Sequence, residues 1–96
     1  MDIFDWLNDW YKFNCNGDWE HQYGIKLETM DNPGWEINID LWETILENKI
    51  FEEISINNSD SDWITCKVED FIYKGYGDPS KLKGILEIFK NWTEEE

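Results

Sequence analysis

The chain has 96 residues, a formal net charge of −14 and seven tryptophans. Its length is typical of one domain, and its 41% hydrophobic content is too high for an intrinsically disordered acidic chain. We therefore expect residues 1–96 to form a single folded domain. The negative charge argues against binding nucleic acid or an anionic membrane, because both are recognised through Lys and Arg side chains. It favours a basic protein as the partner.

The first predicted element is an amphipathic helix over residues 2–13. Its apolar residues recur at intervals of three and four, as on one face of a helix. We expect this stripe to be buried and the helix to end before Gly17. The stripe consists of Ile3, Trp6, Leu7, Trp10 and Phe13.

A β-hairpin follows, because the apolar period changes to two from Trp19 onwards. Strands are predicted over residues 19–29 and 35–41, with His21 partly buried on the apolar side. The Asp-Asn-Pro-Gly sequence between them is typical of a type II turn, which needs a positive φ at Gly34. The opposite face of the hairpin is expected to be acidic. It would carry Glu20, Glu28, Glu36 and Asp40.

The second half of the chain predicts further strands and a second helix. Residues 42–49 fit no period and stay unassigned. Strands are expected over residues 50–56, with Ile50 facing inward, and over residues 63–69 and 71–76, with a polar turn at 57–62. Asp78 is expected to be the N-cap of the last helix, with Pro79 at its first position. The apolar stripe of that helix is Leu82, Ile85, Leu86, Phe89 and Trp92.

The predicted fold class follows from this order of elements. It is α+β: an antiparallel four- or five-stranded meander sheet, with the N- and C-terminal helices packed on one face. Consecutive strands with short turns favour antiparallel pairing. The apolar face of such a sheet needs the two helices as its cover.

The residues form no recognisable catalytic or metal-binding set. His21 is the only histidine, whereas a zinc site needs three or four His or Cys ligands. Cys15 has acidic and amide neighbours and no cation that would activate its thiol. With no CxxC motif, signal peptide or long apolar run, Cys15 and Cys66 are expected to be reduced thiols of a cytoplasmic protein, with Cys66 in the core. We expect no enzyme activity, no metal and no cofactor.

Two tryptophans differ from the others. Trp42 and Trp63 fall opposite the aliphatic residues of their strands, so we expect them to be exposed and to act as hot spots of a protein interface. Such an interface predicts salt-sensitive association and a large loss of affinity on Trp63→Ala. The candidate partner-binding residues are Glu20, Glu28, Glu36, Asp40, Trp42, Asp60, Asp62 and Trp63.

The residues from Gly17 to Trp35 carry a resemblance to a known family. This stretch, followed by Asp62-Trp63, by Cys66 to Asp70 and by a closing helix with Trp92, resembles the immunity protein 53 family of bacterial polymorphic toxin systems. For Trp19, His21, Asp31 and Trp35 we consider a shared binding surface and a role in fixing the hairpin, and we favour the second. The motif residues are Asp18, Trp19, Glu20, His21, Asp31, Asn32, Pro33, Gly34 and Trp35.

The resemblance implies a small cytoplasmic α+β protein, encoded beside a secreted toxin that it binds and neutralises without catalysis. It does not identify the toxin. Together with the negative charge it predicts a monomeric inhibitor of a basic, nuclease-like toxin domain. The alternatives are an acidic nucleic-acid mimic that inhibits a DNA-binding enzyme, and a small carbohydrate-binding module.

Overall fold

The computed structural model describes residues 2–95 and contains one five-stranded sheet with helices at both ends of the chain. Every strand pair is antiparallel. The predicted α+β fold class, with terminal helices and an antiparallel sheet, is confirmed. The elements are α1 (Ile3–Asn14), α2 (Trp19–Gln22), β1 (Ile25–Met30), β2 (Gly34–Asp40), β3 (Ile54–Ser59), β4 (Asp62–Glu69), β5 (Ile72–Gly77) and α3 (Leu82–Glu94).

The strand order is β1-β2-β5-β4-β3. Strands β1 and β2 form the predicted hairpin, and β3, β4 and β5 form a meander. The two parts join where β2 pairs with β5, so β5 is the central strand. The connection from β2 to β3, residues 41–53, therefore passes the positions of β5 and β4 and reaches the far edge of the sheet. We call this segment the crossover loop.

One face of the sheet, the inner face, is covered by both terminal helices and forms the core. Ile37 and Ile39 of β2 and Cys66 of β4 are fully buried there, as the sequence predicts for Cys66. Helix α3 packs on β5 so closely that a Cβ atom at Gly75 would collide with Ile85. Helix α1 lies beside α3, with the rings of Trp6 and Trp10 edge-on to Phe89. The aliphatic and aromatic stripes of the two helices thus complete one core.

The first predicted strand begins too early. Trp19 to Gln22 form the short helix α2, and the strand starts at Ile25. Polar side chains favour the helical turn, because the amide oxygen of Asn16 accepts hydrogen bonds from the backbone N–H groups of Asp18 and Trp19. Trp19 is buried as expected, but His21 is exposed rather than partly buried. A four-residue stretch of alternating residues could not distinguish a strand from this turn.

The predicted type II turn at Gly34 is also wrong. Gly34 is the first residue of β2, pairs with Met30 and has no positive φ. A glycine is required there for another reason: a Cβ atom would collide with the backbone oxygen of Gly77 on β5. The glycine therefore permits close packing of two strands.

Five further boundaries or orientations differ from the sequence prediction. Phe13 and Ile50, both expected to be buried, are exposed, and the third strand begins at Ile54. The last helix begins at Leu82 instead of directly after Asp78. Asp78 does not cap it, because the N-cap position is occupied by Lys81. The buried carboxylate of Asp78 instead accepts hydrogen bonds from Trp63, Ser80 and Lys81 in the turn before the helix.

Candidate functional site

The structure places the predicted partner-binding residues in four separate regions. Glu28 and Glu36 face each other across β1 and β2 on the outer face of the sheet, and Asp40 lies at the end of the same face. Asp60, Asp62 and Trp63 lie at the β3–β4 turn, at the opposite end of the sheet from Asp40. Trp42 belongs to the crossover loop. Glu20 lies on α2, so its assignment to the acidic face of the hairpin is wrong.

The outer face of the sheet carries both charge signs. Lys26, Lys67 and Lys74 lie in one row across it. The ammonium groups of Lys67 and Lys74 lie 3.7 and 2.9 Å from the carboxylate of Glu69. The acidity of the chain is therefore not concentrated on this face.

Several of the candidate carboxylates are already bound within the chain. The carboxylate of Glu20 accepts hydrogen bonds from the backbone N–H groups of Asn16 and Gly17, and backbone N–H bonds hold its pKa below the usual value. Asp40 accepts from the N–H of Gly24. The ammonium group of Lys81 bonds to Asp62 and lowers the pKa of that carboxyl. These groups stabilise turns and strand ends.

Trp63 is only half-buried and not freely exposed. Its backbone N–H donates to the carboxylate of Asp78, and its carbonyl oxygen accepts from the N–H of Asp78. The start of β4 is therefore fixed to the segment that precedes α3. Trp35 has a comparable link, because its indole N–H donates to the carbonyl of Pro79.

The crossover loop is the longest connection in the described chain. Strand β2 ends at Asp40 and β3 begins at Ile54, so 13 residues contain neither helix nor strand. Connections of this length inside a compact domain usually carry a function. The segment is also the one whose structure the sequence pattern left unassigned.

Hydrogen bonds from the core fix the shape of the crossover loop. The indole N–H of Trp19 donates to the carbonyl of Trp42, and that of Trp92 donates to the carbonyl of Ile50. The ammonium group of Lys49 donates to the carbonyl oxygens of Trp92 and Glu95 at the end of α3. These bonds join the loop to α2 and to α3. They therefore fix its conformation and the surface that it presents.

This loop exposes apolar side chains, and most of its ionisable residues are acidic. Ile45 and Ile50 are 87% and 86% exposed, and Trp42 is 38% exposed. Exposed apolar residues combined with polar ones are the usual composition of a protein interface. The one lysine of the segment, Lys49, is directed at backbone carbonyls. The acidic residues of the loop are Glu43, Glu47, Glu52 and Glu53.

Aromatic residues extend this surface on both sides. On one side, a cavity of about 220 Å³ lies between α1 and the loop, lined by Trp10, Phe13 and Ile45 among others. On the other side, the ring of Phe71 packs against the ring of Trp42, with 4.2 Å between the two ring centroids. The exposed Phe13 therefore belongs to the same apolar region as Ile45.

The backbone next to Trp42 is strained. Glu43, Asp70 and Phe71 all have positive φ values, which non-glycine residues rarely adopt. The segments meet where the N–H of Leu41 donates to the carbonyl of Phe71. Such strain is concentrated at functional sites in many proteins. It supports the crossover loop as the candidate site.

Tyr23 lies among the acidic residues at this end of the sheet. Desolvation raises the pKa of its hydroxyl, and the negative charges of Glu43, Asp40 and Glu47 raise it further. The local field is therefore negative around the hydroxyl of Tyr23. A cationic side chain of a partner would be attracted to this position.

Sequence reasoning selected Asp40 and Trp42 but missed most of this surface. Ile45 and Ile50 were not recognised, because exposed isoleucines have no sequence signature of their own. Phe71 was taken as a strand residue. The sequence carried one signal of this surface. Residues 42–49 follow neither the helical nor the strand period, although they contain two adjacent apolar residues, Ile45 and Leu46.

In residues 2–95 no three His, Cys, Asp or Glu side chains converge as a metal ion requires. None of the helices in this part of the chain has the length and apolarity needed to cross a membrane. Cys15 and Cys66 are both free thiols.

Comparison with known proteins identifies the family. Residues 4–94 match the family model described as Immunity protein 53. No curated protein and no solved structure matches the chain. The match spans nearly every residue that builds the sheet, both terminal helices and the crossover loop. The chain therefore belongs to the immunity protein 53 family.

Proposed function

We propose that this protein neutralises a basic, nuclease-like toxin domain by binding it with the crossover loop. Membership of an immunity protein family supports a toxin partner. The observation that supports this particular surface is the exposure of Ile45 and Ile50 on a loop held by hydrogen bonds. In this proposal the chain acts as a monomeric single domain in the bacterial cytoplasm, without catalysis and without a cofactor.

The chemistry of the loop suits a cationic protein surface. Ile45 and Ile50 would be buried against apolar side chains of the toxin, and an Arg side chain could stack on Trp42. The four glutamates of the loop and Asp40 would pair with surrounding Lys and Arg residues. Because some of these carboxylates would stay in contact with water, such pairs add specificity more than affinity.

The net charge of −14 supports fast association with a basic toxin. Long-range attraction raises the association rate above that of neutral partners, and salt screens it over about 8 Å at physiological ionic strength. Besides Asp40, six of the predicted partner contacts lie outside the loop and stay predictions: Glu20, Glu28, Glu36, Asp60, Asp62 and Trp63.

The two alternative functions receive less support from the geometry. The lysines of the outer face interrupt the regular carboxylate array that a nucleic-acid mimic needs. A sugar-binding site presents coplanar rings, whereas the rings of Trp42 and Phe71 are tilted by 41°. Neither observation favours a second function.

Co-expression tests the proposal directly. The toxin domain encoded beside this chain's gene would be expressed in bacteria together with the wild-type chain or with the double variant Ile45→Ser/Ile50→Ser. The control is Phe4→Ser, an equally apolar exposed position near the start of α1. We expect wild type and control to protect the cells. The double variant should lose protection and bind the purified toxin about 30-fold more weakly by calorimetry.

Two outcomes would contradict the proposal. A double variant that binds the toxin as tightly as wild type would remove the crossover loop from the interface. A wild-type chain that neither binds nor protects would overturn the proposed function itself.

A further inference from the structure

Strand β3 forms one edge of the sheet and lies directly after the crossover loop. It pairs with β4 on one side, and within residues 2–95 no strand neighbours the hydrogen-bonding groups on its other side. Helix α3 packs over β5 and β4, which leaves the inner face of β3 incompletely covered. Ile56 on that face is 50% exposed. An additional strand could therefore pair here and bury Ile56.

The first half of the β3 edge, residues 54–56, lacks the usual protection against pairing. Natural edge strands are blocked by Lys, Pro or bulges. The six residues of β3, Ile54–Ser59, include neither Lys nor Pro, and the register is irregular only between Asn57 and Ser59. The opposite edge strand, β1, carries Lys26 and Glu28. The first half of β3 is thus the more accessible edge.

A groove of about 530 Å³ adjoins the start of β3. It lies between residues 50–54 and the C-terminal half of α3. Its apolar wall is formed by Ile50, Phe51, Ile54, Ile88 and Trp92, and its polar residues are Glu52, Glu53, Asn91 and Glu95.

The ionisable residues that line this groove are all acidic. The nearby ammonium group of Lys49 is bound to the carbonyl oxygens of Trp92 and Glu95. Lys and Arg side chains suit such a groove, because their aliphatic stems pack on apolar walls while their charged ends reach carboxylates. The groove is therefore complementary to a basic segment.

We propose that an extended basic segment of the toxin adds to the free edge of β3 and places Lys or Arg side chains in the adjoining groove. In such strand addition, backbone hydrogen bonds supply affinity and pockets for alternate side chains supply specificity. This inference rests on the proposed function and specifies how the same partner is held. Its site continues the surface of the crossover loop, since Ile50 belongs to both.

A second copy of this chain is the competing occupant of the edge. Pairing of two β3 strands would bring two acidic grooves together in a molecule whose net charge is already −14. Charge complementarity favours the basic segment instead. A dimer of the free chain in light scattering, dissociated by Ile56→Lys, would overturn the inference.

Amide hydrogen exchange tests the new strand pairing. Exchange of the β3 amides would be measured in the free chain and in its complex with the toxin domain encoded beside its gene. We expect binding to slow exchange at the β3 amides that face the free edge by about tenfold or more, and to leave those of β1 unchanged. A stable complex in which the β3 amides exchange as in the free chain would overturn this inference and leave the proposed function intact. Absence of any complex would overturn both.

A matched pair of variants provides a second readout. Ile56→Lys puts an inward-pointing charge on the β3 edge, and Leu27→Lys makes the same change of net charge at a 40% exposed inner-face position on β1. We expect Ile56→Lys to lower toxin affinity about tenfold or more and Leu27→Lys to have little effect. Equal effects of the two variants would contradict strand addition at β3.

The groove itself is tested by neutralising its border. Glu52→Gln/Glu53→Gln removes two charges without changing shape, and Asp5→Asn/Asp9→Asn removes two charges from exposed positions of α1. The first variant should lower affinity and weaken its salt dependence more than the second. Identical behaviour would count against a basic occupant of the groove.

Discussion

The rings of Trp42 and Phe71 lie 4.2 Å apart, although Phe71 has a left-handed backbone with φ of 61°. Phe71 and Asp70 are the two residues between paired Glu69 and Ile72, and both have positive φ. This is the pattern of a type I′ turn, in which glycine is usual at the second position. A phenylalanine there costs about 1–2 kcal/mol of backbone strain, which its contact with Trp42 offsets.

The first prediction compares two substitutions at this position. Phe71→Gly removes the ring and the strain together, so we expect the free energy of unfolding to change by less than about 1 kcal/mol. Phe71→Ala removes the ring but keeps the strain, and should be less stable than the glycine variant by about 1 kcal/mol. Urea denaturation measures both values. An alanine variant as stable as the glycine variant would show that the turn is not strained.

A second prediction concerns the contact between α3 and the central strand. Gly75→Ala would drive a methyl group into Ile85 and should lower the free energy of unfolding by about 1–3 kcal/mol. Gly24→Ala is the control, because a Cβ atom there meets nothing within 4 Å. Thermal unfolding of both variants gives the comparison. Similar melting temperatures would contradict the close packing of α3 on β5.

The third prediction is the response of the fold to acid. Hydrogen bonds from Lys81 and Ser80 hold the pKa of the Asp78 carboxyl well below its usual value of 3.8. A carboxyl with a lowered pKa in the folded state stabilises the protein above its unfolded pKa, and this contribution is lost as the pH falls through the folded pKa. We expect the urea midpoint of the wild type to fall between about pH 5 and about pH 2.

Asp78→Asn provides the control for this acid response. It should be less stable than wild type at neutral pH, because Lys81 and the N–H of Trp63 lose a charged acceptor. Its midpoint should fall less in acid than that of wild type. Parallel pH profiles of the two proteins would show that another carboxylate governs acid unfolding.

The fourth prediction compares two tryptophans in toxin binding. Trp42→Ala, at the crossover loop, is expected to weaken binding by about 2 kcal/mol or more, as for a hot-spot aromatic residue. Trp63 lies at the other end of the sheet, beside Asp60 and Asp62. The variant Trp63→Ala tests the sequence-based prediction that its loss strongly lowers toxin affinity. Calorimetry at about 50 and 500 mM salt measures both effects. A loss confined to Trp63→Ala would move the interface to the β3–β4 turn.

The hairpin, the last two strands and both terminal helices could be predicted because their apolar periods are long and regular. The short helix α2 could not, since its start depends on backbone hydrogen bonds that the side chains of Asn16 and Glu20 accept, and no apolar period records them. The sequence pattern also could not predict that β5 is the central strand. That position depends on pairing between residues far apart in sequence, such as Ile39 and Tyr73.

The candidate site was predictable only in part. Strand parity correctly marked Trp42 as exposed, whereas the basic partner suggested by composition stays a prediction. Parity failed for Glu20, which is not in a strand, and it could not identify Ile45 or Ile50 outside a regular element. In an irregular loop, the side chains that do not pack into the core are the exposed ones. Here Leu41 and Leu46 are the residues of the loop that are buried in the core. Which side chains are buried depends on three-dimensional packing.

The central position of β5 also governs when a newly made chain can complete its sheet. The β1–β2 hairpin and the β3–β4 pair touch neither each other nor a common strand until β5 lies between them. A ribosome must therefore release residues 72–77 before the two halves can combine, and α3 after that to cover them. In the proposed function, a chain that still lacks β5 would offer the toxin an incomplete inhibitor. Protection would then require that both β5 and α3 have left the ribosome.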